Sequence, residues 1–392
     1  MKAALTTLTS LALFAACAGP APKEPTPAEE ERLLENVSVL RQQRNAALGI
    51  DADDLTAPSI LPDSFAEKDL LYIAQMSANV DPKFTDDGNP YVYEYRQNPE
   101  ADWGEEYNFR AANARPLDWK DVRLVGSVGN AFSFYAFHFP VDNAVRFRVE
   151  ADQRGGQDAP FDTERFRKSD ILGAYHATSA LYTRLRFRLF HLMVYLKVTL
   201  YVPVYDGETS DDYSDAHYSG FLPGAMRQSY VRNAYTDFGI EWRANRSSDT
   251  DAPLTQITNT APRRDIIMYQ HDPGAEEIIE EFPVRDYYSG GTLGEDRVRE
   301  YHFSVLFPEQ SFGEKFLCFE LTAPDNSMKR YYFSGNQIVG DSGNYNLIQG
   351  TLQHLYLYLP RKTNETILVG AKILPWADAS TDMTVTQTDD KD

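Results

Sequence analysis

Asp170, His176 and His191 come nearest in this sequence to a set that could do chemistry. A carboxylate that orients an imidazole makes an acid–base pair, and two imidazoles with a carboxylate can ligate a metal. The spacing does not favour a metal, because HxH, HExxH and CxxC patterns are all absent. The favoured reading is structural, with Asp170 in a turn and His191 bonded to backbone that a bulge has freed. Glu276-Glu277 and Glu280-Glu281 do not make a glycosidase dyad, since sequence neighbours point to opposite faces of a strand. The acidic run Asp206–Asp215 (DGETSDDYSD) lacks the D-x-D-x-D-G pattern of a calcium loop and reads as a solvated connection. No Gly-rich phosphate loop and no G-x-S-x-G elbow occurs. These observations point to a protein with no catalytic residues, no metal and no cofactor.

The element that must position His191 is the clearest in the chain. Val194, Leu196, Val198, Leu200, Val202 and Val204 alternate with Tyr195, Lys197, Thr199, Tyr201, Pro203 and Tyr205. A period of two puts the aliphatics on one face of a strand and predicts a half-buried antiparallel strand. Upstream the phase is opposite, with Leu185, Phe187 and Leu189 alternating with Arg184, Arg186 and Arg188. Alternation cannot change phase without an extra residue, so a bulge or turn is expected at Phe190-His191-Leu192.

The same period-two pattern recurs along the chain. Apolar runs at Leu70–Ile73, Tyr91–Tyr95, Val122–Val128, Phe132–Phe139 and Val145–Val149 predict a first β domain. Runs near Ile266–Tyr269, Glu277–Val284, Arg299–Phe307, Lys315–Leu321, Lys329–Ser334 and Leu352–Leu359 predict a second. Thr366–Leu374 then returns as a closing hairpin, with Trp376 capping a core. The 24 Tyr and 22 Phe among 392 residues fit β-sandwiches better than a helical bundle. A net charge of −20 excludes nucleic acid as a partner, because nothing offsets phosphate repulsion.

The two cysteines speak to compartment. Met1-Lys2 and the apolar Ala3–Ala16 form a secretory signal that ends Leu13-Phe14-Ala15-Ala16-Cys17. This resembles a bacterial lipobox and implies lipid on Cys17, although Phe14 stands where Leu is commoner. Cys318 then has no intramolecular partner and reads as a buried, inert thiol in Phe316–Leu321. After a Pro/Ala-rich tether, Thr26-Pro27-Ala28-Glu29 is a capping box, and Leu33, Leu34, Val37 and Leu40 follow at helical spacing. An amphipathic helix is predicted over Pro27–Leu48. The resulting organisation is a signal peptide over 1–16, a tether and helix over 17–55, β-sandwiches over 56–206 and 207–378, and a polar tail over 379–392.

Three blocks together resemble the fimbrillin (Mfa-like) superfamily of pilins and anchor proteins of Gram-negative anaerobes. They are Ser169-Asp170-Ile171-Leu172, then Phe187-x-x-x-His191-Leu192-x-x-x-Leu196-x-Val198-x-Leu200, and the closing Gly370-Ala371-Lys372-Ile373-Leu374-Pro375-Trp376. The second departs from the family's F-x-H spacing between Phe187 and His191. The resemblance implies two transthyretin-like Greek-key β-sandwiches in tandem and a non-enzymatic fimbrial subunit or anchor. It also implies attachment to the outer membrane through lipid on Cys17. Partners would be other fimbrial subunits, joined by β-strand addition after a removable N-terminal segment exposes a groove. Cleavage after a basic residue would fall at Arg41 or Arg44. Both lie inside the predicted helix, which favours an anchor over a processed shaft subunit. The alternative is a surface glycan-binding lipoprotein using the Tyr195, Tyr201 and Tyr205 face.

Overall fold

Strands take up nearly all of the regular structure, as the alternating pattern requires. The computed structural model describes residues 33–34, 36–41, 69–76, 82–83, 91–95, 109–112, 117–118, 132–138, 147–155, 162–178, 186–205, 207, 220–241, 254–257, 262–271, 277–285, 292–339, 343–361 and 365–375. The chain begins with β1 (Leu33–Leu34), β2 (Asn36–Arg41), β3 (Leu70–Met76), β4 (Pro82–Lys83), β5 (Tyr91–Tyr95) and β6 (Phe109–Ala111). It continues with β7 (Leu117–Asp118), β8 (Phe132–His138), β9 (Phe147–Arg148), the short helix α1 (Glu164–Lys168) and β10 (Leu172–Thr178). Then come β11 (Arg186–His191), β12 (Val194–Pro203), β13 (Met226–Tyr235), β14 (Asp237–Glu241), β15 (Leu254–Gln256) and β16 (Arg263–Ile267). The next strands are β17 (Tyr269–Gln270), β18 (Ile278–Arg285), β19 (Thr292–Phe307), β20 (Gln310–Phe312), β21 (Leu317–Thr322) and β22 (Met328–Phe333). Helix α2 (Asn336–Val339) leads to β23 (Tyr345–Leu347), β24 (Thr351–Tyr358) and β25 (Ile367–Pro375).

The first strands close on themselves. Their order is β3-β5-β6-β2-β11-β10-β8, and β8 pairs back onto β3, so the sheet forms a ring of seven strands with β4 added at one end of β3. Inside it Leu71, Ile73, Tyr93, Phe109, Phe134, Phe187 and Leu189 are fully buried together. Closure removes sheet edges, which are otherwise open to further strands.

The later strands make a sandwich. One sheet runs β17-β19-β12-β24-β25, with β18 also on β19, and the other runs β16-β13-β21-β22. The even residues Leu196, Val198, Leu200 and Val202 of β12 share one core with Val231, Leu317, Phe319 and Leu321 of the opposing sheet. Phe303 of β19 meets Phe319 at 5.8 Å between ring centroids. Leu200→Ala is expected to cost about 2–5 kcal/mol by leaving a cavity at the centre of this core. The drop in urea midpoint measures it.

The predicted phase slip is present: β11 ends at His191, β12 begins at Val194, and Leu192 and Met193 lie between them. The slip also changes sheets. β11 belongs to the ring, while β12 pairs antiparallel with β19 and parallel with β24. The sheets therefore divide at the kink, upstream of the acidic stretch over 206–215. β12 is not half-buried as expected, since Tyr195, Lys197 and Thr199 on its odd face are also covered. Phe166 of α1 packs on Tyr195 at 5.7 Å, and His302 and His354 flank Thr199.

One expectation fails outright. Residues 33–34 and 36–41 form strands rather than the central turns of a helix. Val37 and Val39 are β-branched and alternate with Asn36 and Ser38, so the segment suits a strand as well as a helix. Partners on both sides decide the outcome, because β2 gains ladders that an isolated helix would lack. Most other predicted strands appear where expected, and β24 and β25 form the closing hairpin. The predicted strand over 122–128, Trp376 and the tail lie outside the described residues.

The covered odd face buries His271, whose Nε2 lies 2.7 Å from Ser304 Oγ. Burial, with Lys197 nearby, pushes its pKa from 6.5 down to about 3. The unfolded chain therefore binds this proton at a higher pH than the folded one does. The contribution of His271 to stability is complete above about pH 6.5 and falls by ~1.4 kcal/mol per unit on acidification towards the folded value. Thermal melts between pH 7 and 4 should show a slope that His271→Gln flattens.

Candidate functional site: the strand slot and the kink beside it

The feature that the sequence conceals is the place of β2. It lies antiparallel to β6, with Val37 opposite Phe109, and parallel to β11, with Ser38 opposite Arg186 and Val39 opposite Phe187. Its last residue, Arg41, stands opposite Leu189. Phe109, Phe187 and Leu189 all belong to the buried core of the ring. A strand from near the N-terminus thus fills a slot between β6 and β11. No other strand lies between those two among the described residues. Without β2 both would present open ladders, the geometry in which β-augmentation occurs. Arg41 closes the strand, whereas Arg44 and Cys17 lie outside the described residues. The signal that could have revealed the slot is the alternation in Asn36–Arg41, which helical spacing also fits.

At the far end of β11 the kink is pinned by a buried pair. His191 Nδ1 lies 2.7 Å from Asp170 Oδ1, with side-chain exposures of 2% and 4%. Asp170 sits in the turn after α1, where its N–H donates to the Arg167 carbonyl. The kink's own backbone is satisfied as well: the Leu192 N–H donates to the Ile171 carbonyl, and the Met193 carbonyl accepts from Gly350. Asp170 and His191 are thus brought together as their spacing suggested, but too deeply for a substrate to reach them. His176 stands apart, further along β10, with its ring edge-on to Phe187 at 5.9 Å. Among the described residues no group of three or more His, Cys, Asp or Glu is placed to hold a metal.

The other candidates fall where structure needs them. Glu277, Glu280 and Glu281 are exposed on or beside β18, and Glu280 pairs with Arg297 at 2.8 Å. Glu276 lies outside the described residues. Tyr195 is buried, and Tyr201 stacks on Phe282 at 4.2 Å in a satellite cluster. Neither presents an open ring. Cys318 is fully buried in β21, and burial raises its thiol pKa.

No family model matches the chain, and no curated protein matches it. Among solved structures it is similar to candidate cell adhesion proteins of Bacteroides ovatus and Bacteroides uniformis. Each has 12% identity; the matches cover 88% and 80% of this chain and 99% and 93% of those chains, with TM-scores of 0.44 and 0.43. It is also similar to the C-terminally truncated tip fimbrial protein Mfa3 of Porphyromonas gingivalis. That match has 8% identity, covers 79% of this chain and 95% of that one, and has a TM-score of 0.32. At these scores the argument for function rests on the chain's own residues.

Proposed function

We propose that the chain is a non-enzymatic cell-surface fimbrial subunit or anchor. It joins other subunits by β-strand addition and attaches to the outer membrane through lipid on Cys17. The single observation that carries the reading is β2, a strand that closes a ring and ends at a basic residue. With 36–41 in a strand, Arg41 stands at an element's end, which supports cleavage there over the helix reading. Two of the blocks that resemble fimbrillins also meet in space, and the third lies apart from them. Asp170 of the first bonds His191 of the second, and the third block supplies residues 370–375 of β25, at the margin of the sandwich.

The test is the mass and N-terminus of the protein recovered from its native cell surface. A lipidated Cys17 together with a second, shorter form that starts just after Arg41 or Arg44 supports a strand-exchanging subunit. A lipidated Cys17 alone supports an anchor that retains β2. An unlipidated chain that keeps residues 36–41 and never enters a ladder on non-boiled gels overturns both.

A further inference from the structure

The N-terminal segment is held in two places, and only one of them is the slot. β1 lies outside the ring, in a two-stranded sheet with β7 that sets Leu33 opposite Asp118 and Leu34 opposite Leu117. Only Glu35 separates β1 from β2, and neither strand extends past Arg41. A cut after Arg41 therefore severs one segment that carries two strands with different partners.

β7 is a fixed partner. Leu117 is 1% exposed and shares the core of the ring with Tyr93, which is fully buried. The Leu117 N–H donates to the Tyr93 hydroxyl at 3.2 Å. Burial pushes the Tyr93 pKa up, so the hydroxyl keeps its proton. The same bond shows how β1 is held. Successive residues of an antiparallel ladder turn their N–H and C=O groups alternately across to the partner strand and away from it. Leu117 turns its N–H away to Tyr93, so the pair that bonds across is Leu33 with Asp118.

The two attachments reinforce each other. If β2 leaves the slot while β1 stays on β7, the one-residue link keeps β2 close, and it re-enters at high effective concentration. An incoming strand competes for β6 and β11 but not for β7, which belongs to a separate sheet. It must therefore displace a resident strand that is still tethered. The tether itself can open, because a single bonded pair supplies only two backbone hydrogen bonds. We propose that β1 and β7 form a latch that keeps the severed segment in the slot and delays strand exchange until the latch opens. The latch bears on assembly only if the slot serves strand addition, the function proposed for the chain.

The test uses the full chain with a site for a sequence-specific protease placed directly after Arg41. Once the chain is cut, native mass spectrometry follows loss of the N-terminal fragment in an excess of Asn36–Arg41 peptide. The fragment should leave the parent slowly. It should leave about tenfold faster from Leu33→Pro, which removes the N–H that bonds across to β7. Equal rates overturn the latch and leave the slot standing. Peptides give a second measure that needs no variant to fold. A Leu33–Arg41 peptide should displace the fragment at about a tenfold lower concentration than Asn36–Arg41 does, and equal displacement overturns the latch. A fragment lost from parent and variant alike as soon as the cut is made is held by neither β1 nor β2, and overturns latch and slot together.

Discussion

Asp170→Ala should lower the unfolding free energy by about 2–4 kcal/mol, among the largest losses open to a single side chain away from the sandwich core. The reason is position as well as bonding. Asp170 and His191 are both nearly inaccessible to water, so truncating one leaves the other desolvated beside a void. The pair also joins the turn after α1 to the point where β11 leaves the ring and β12 enters the sandwich. Asp170→Asn keeps an acceptor for His191 and should cost less than the alanine variant. A double-mutant cycle with His191→Ala should return a coupling energy well above the roughly 0.5 kcal/mol expected of independent sites. Urea melts supply all four corners. A loss below about 1 kcal/mol in Asp170→Ala would show that the backbone bonds at Leu192 and Met193 hold the kink unaided.

That pair also marks how far local pattern reaches. Val194–Val204 could be read as a strand, and its phase slip as a kink, because both depend on spacing along one segment. Local spacing could not show that β12 lies in a different sheet from β11. That depends on β19 and β24, whose paired residues lie 95 or more positions further along the sequence. The polar neighbours on the odd face of β12 were hidden for the same reason, since Lys197, His302, His354 and Lys372 come together only through register. The Tyr face misled because alternation shows which side a residue faces but not what covers that side. Phe166 and Phe282 come from other elements to cover Tyr195 and Tyr201. For Asn36–Arg41 two periods fit one short segment, and the ladders to β6 and β11 select the strand. Lipidation at Cys17, as proposed, would be a processing event that no fold reports.

The last of these segments gives the larger prediction. A chain cut after Arg41, with residues up to Arg41 washed away, should lose most of its cooperative unfolding in the ring while the sandwich persists. Removing β2 strips the ladder partners of β6 and β11 and opens a closed sheet beside Phe109, Phe187 and Leu189. Amide exchange should then rise in Phe109–Ala111 and Arg186–His191 and stay slow in β12, β19 and β21, whose partners are untouched. A synthetic peptide spanning Asn36–Arg41 should restore protection when added in trans, because register and backbone direction are set by the slot. A peptide with the same residues in scrambled order should not. If assembly works by strand addition, the restoring peptide should also suppress ladders on non-boiled gels, since it and an incoming strand compete for one groove. Restored protection without suppression would place the joining edge elsewhere, and β25 would be the next strand to block.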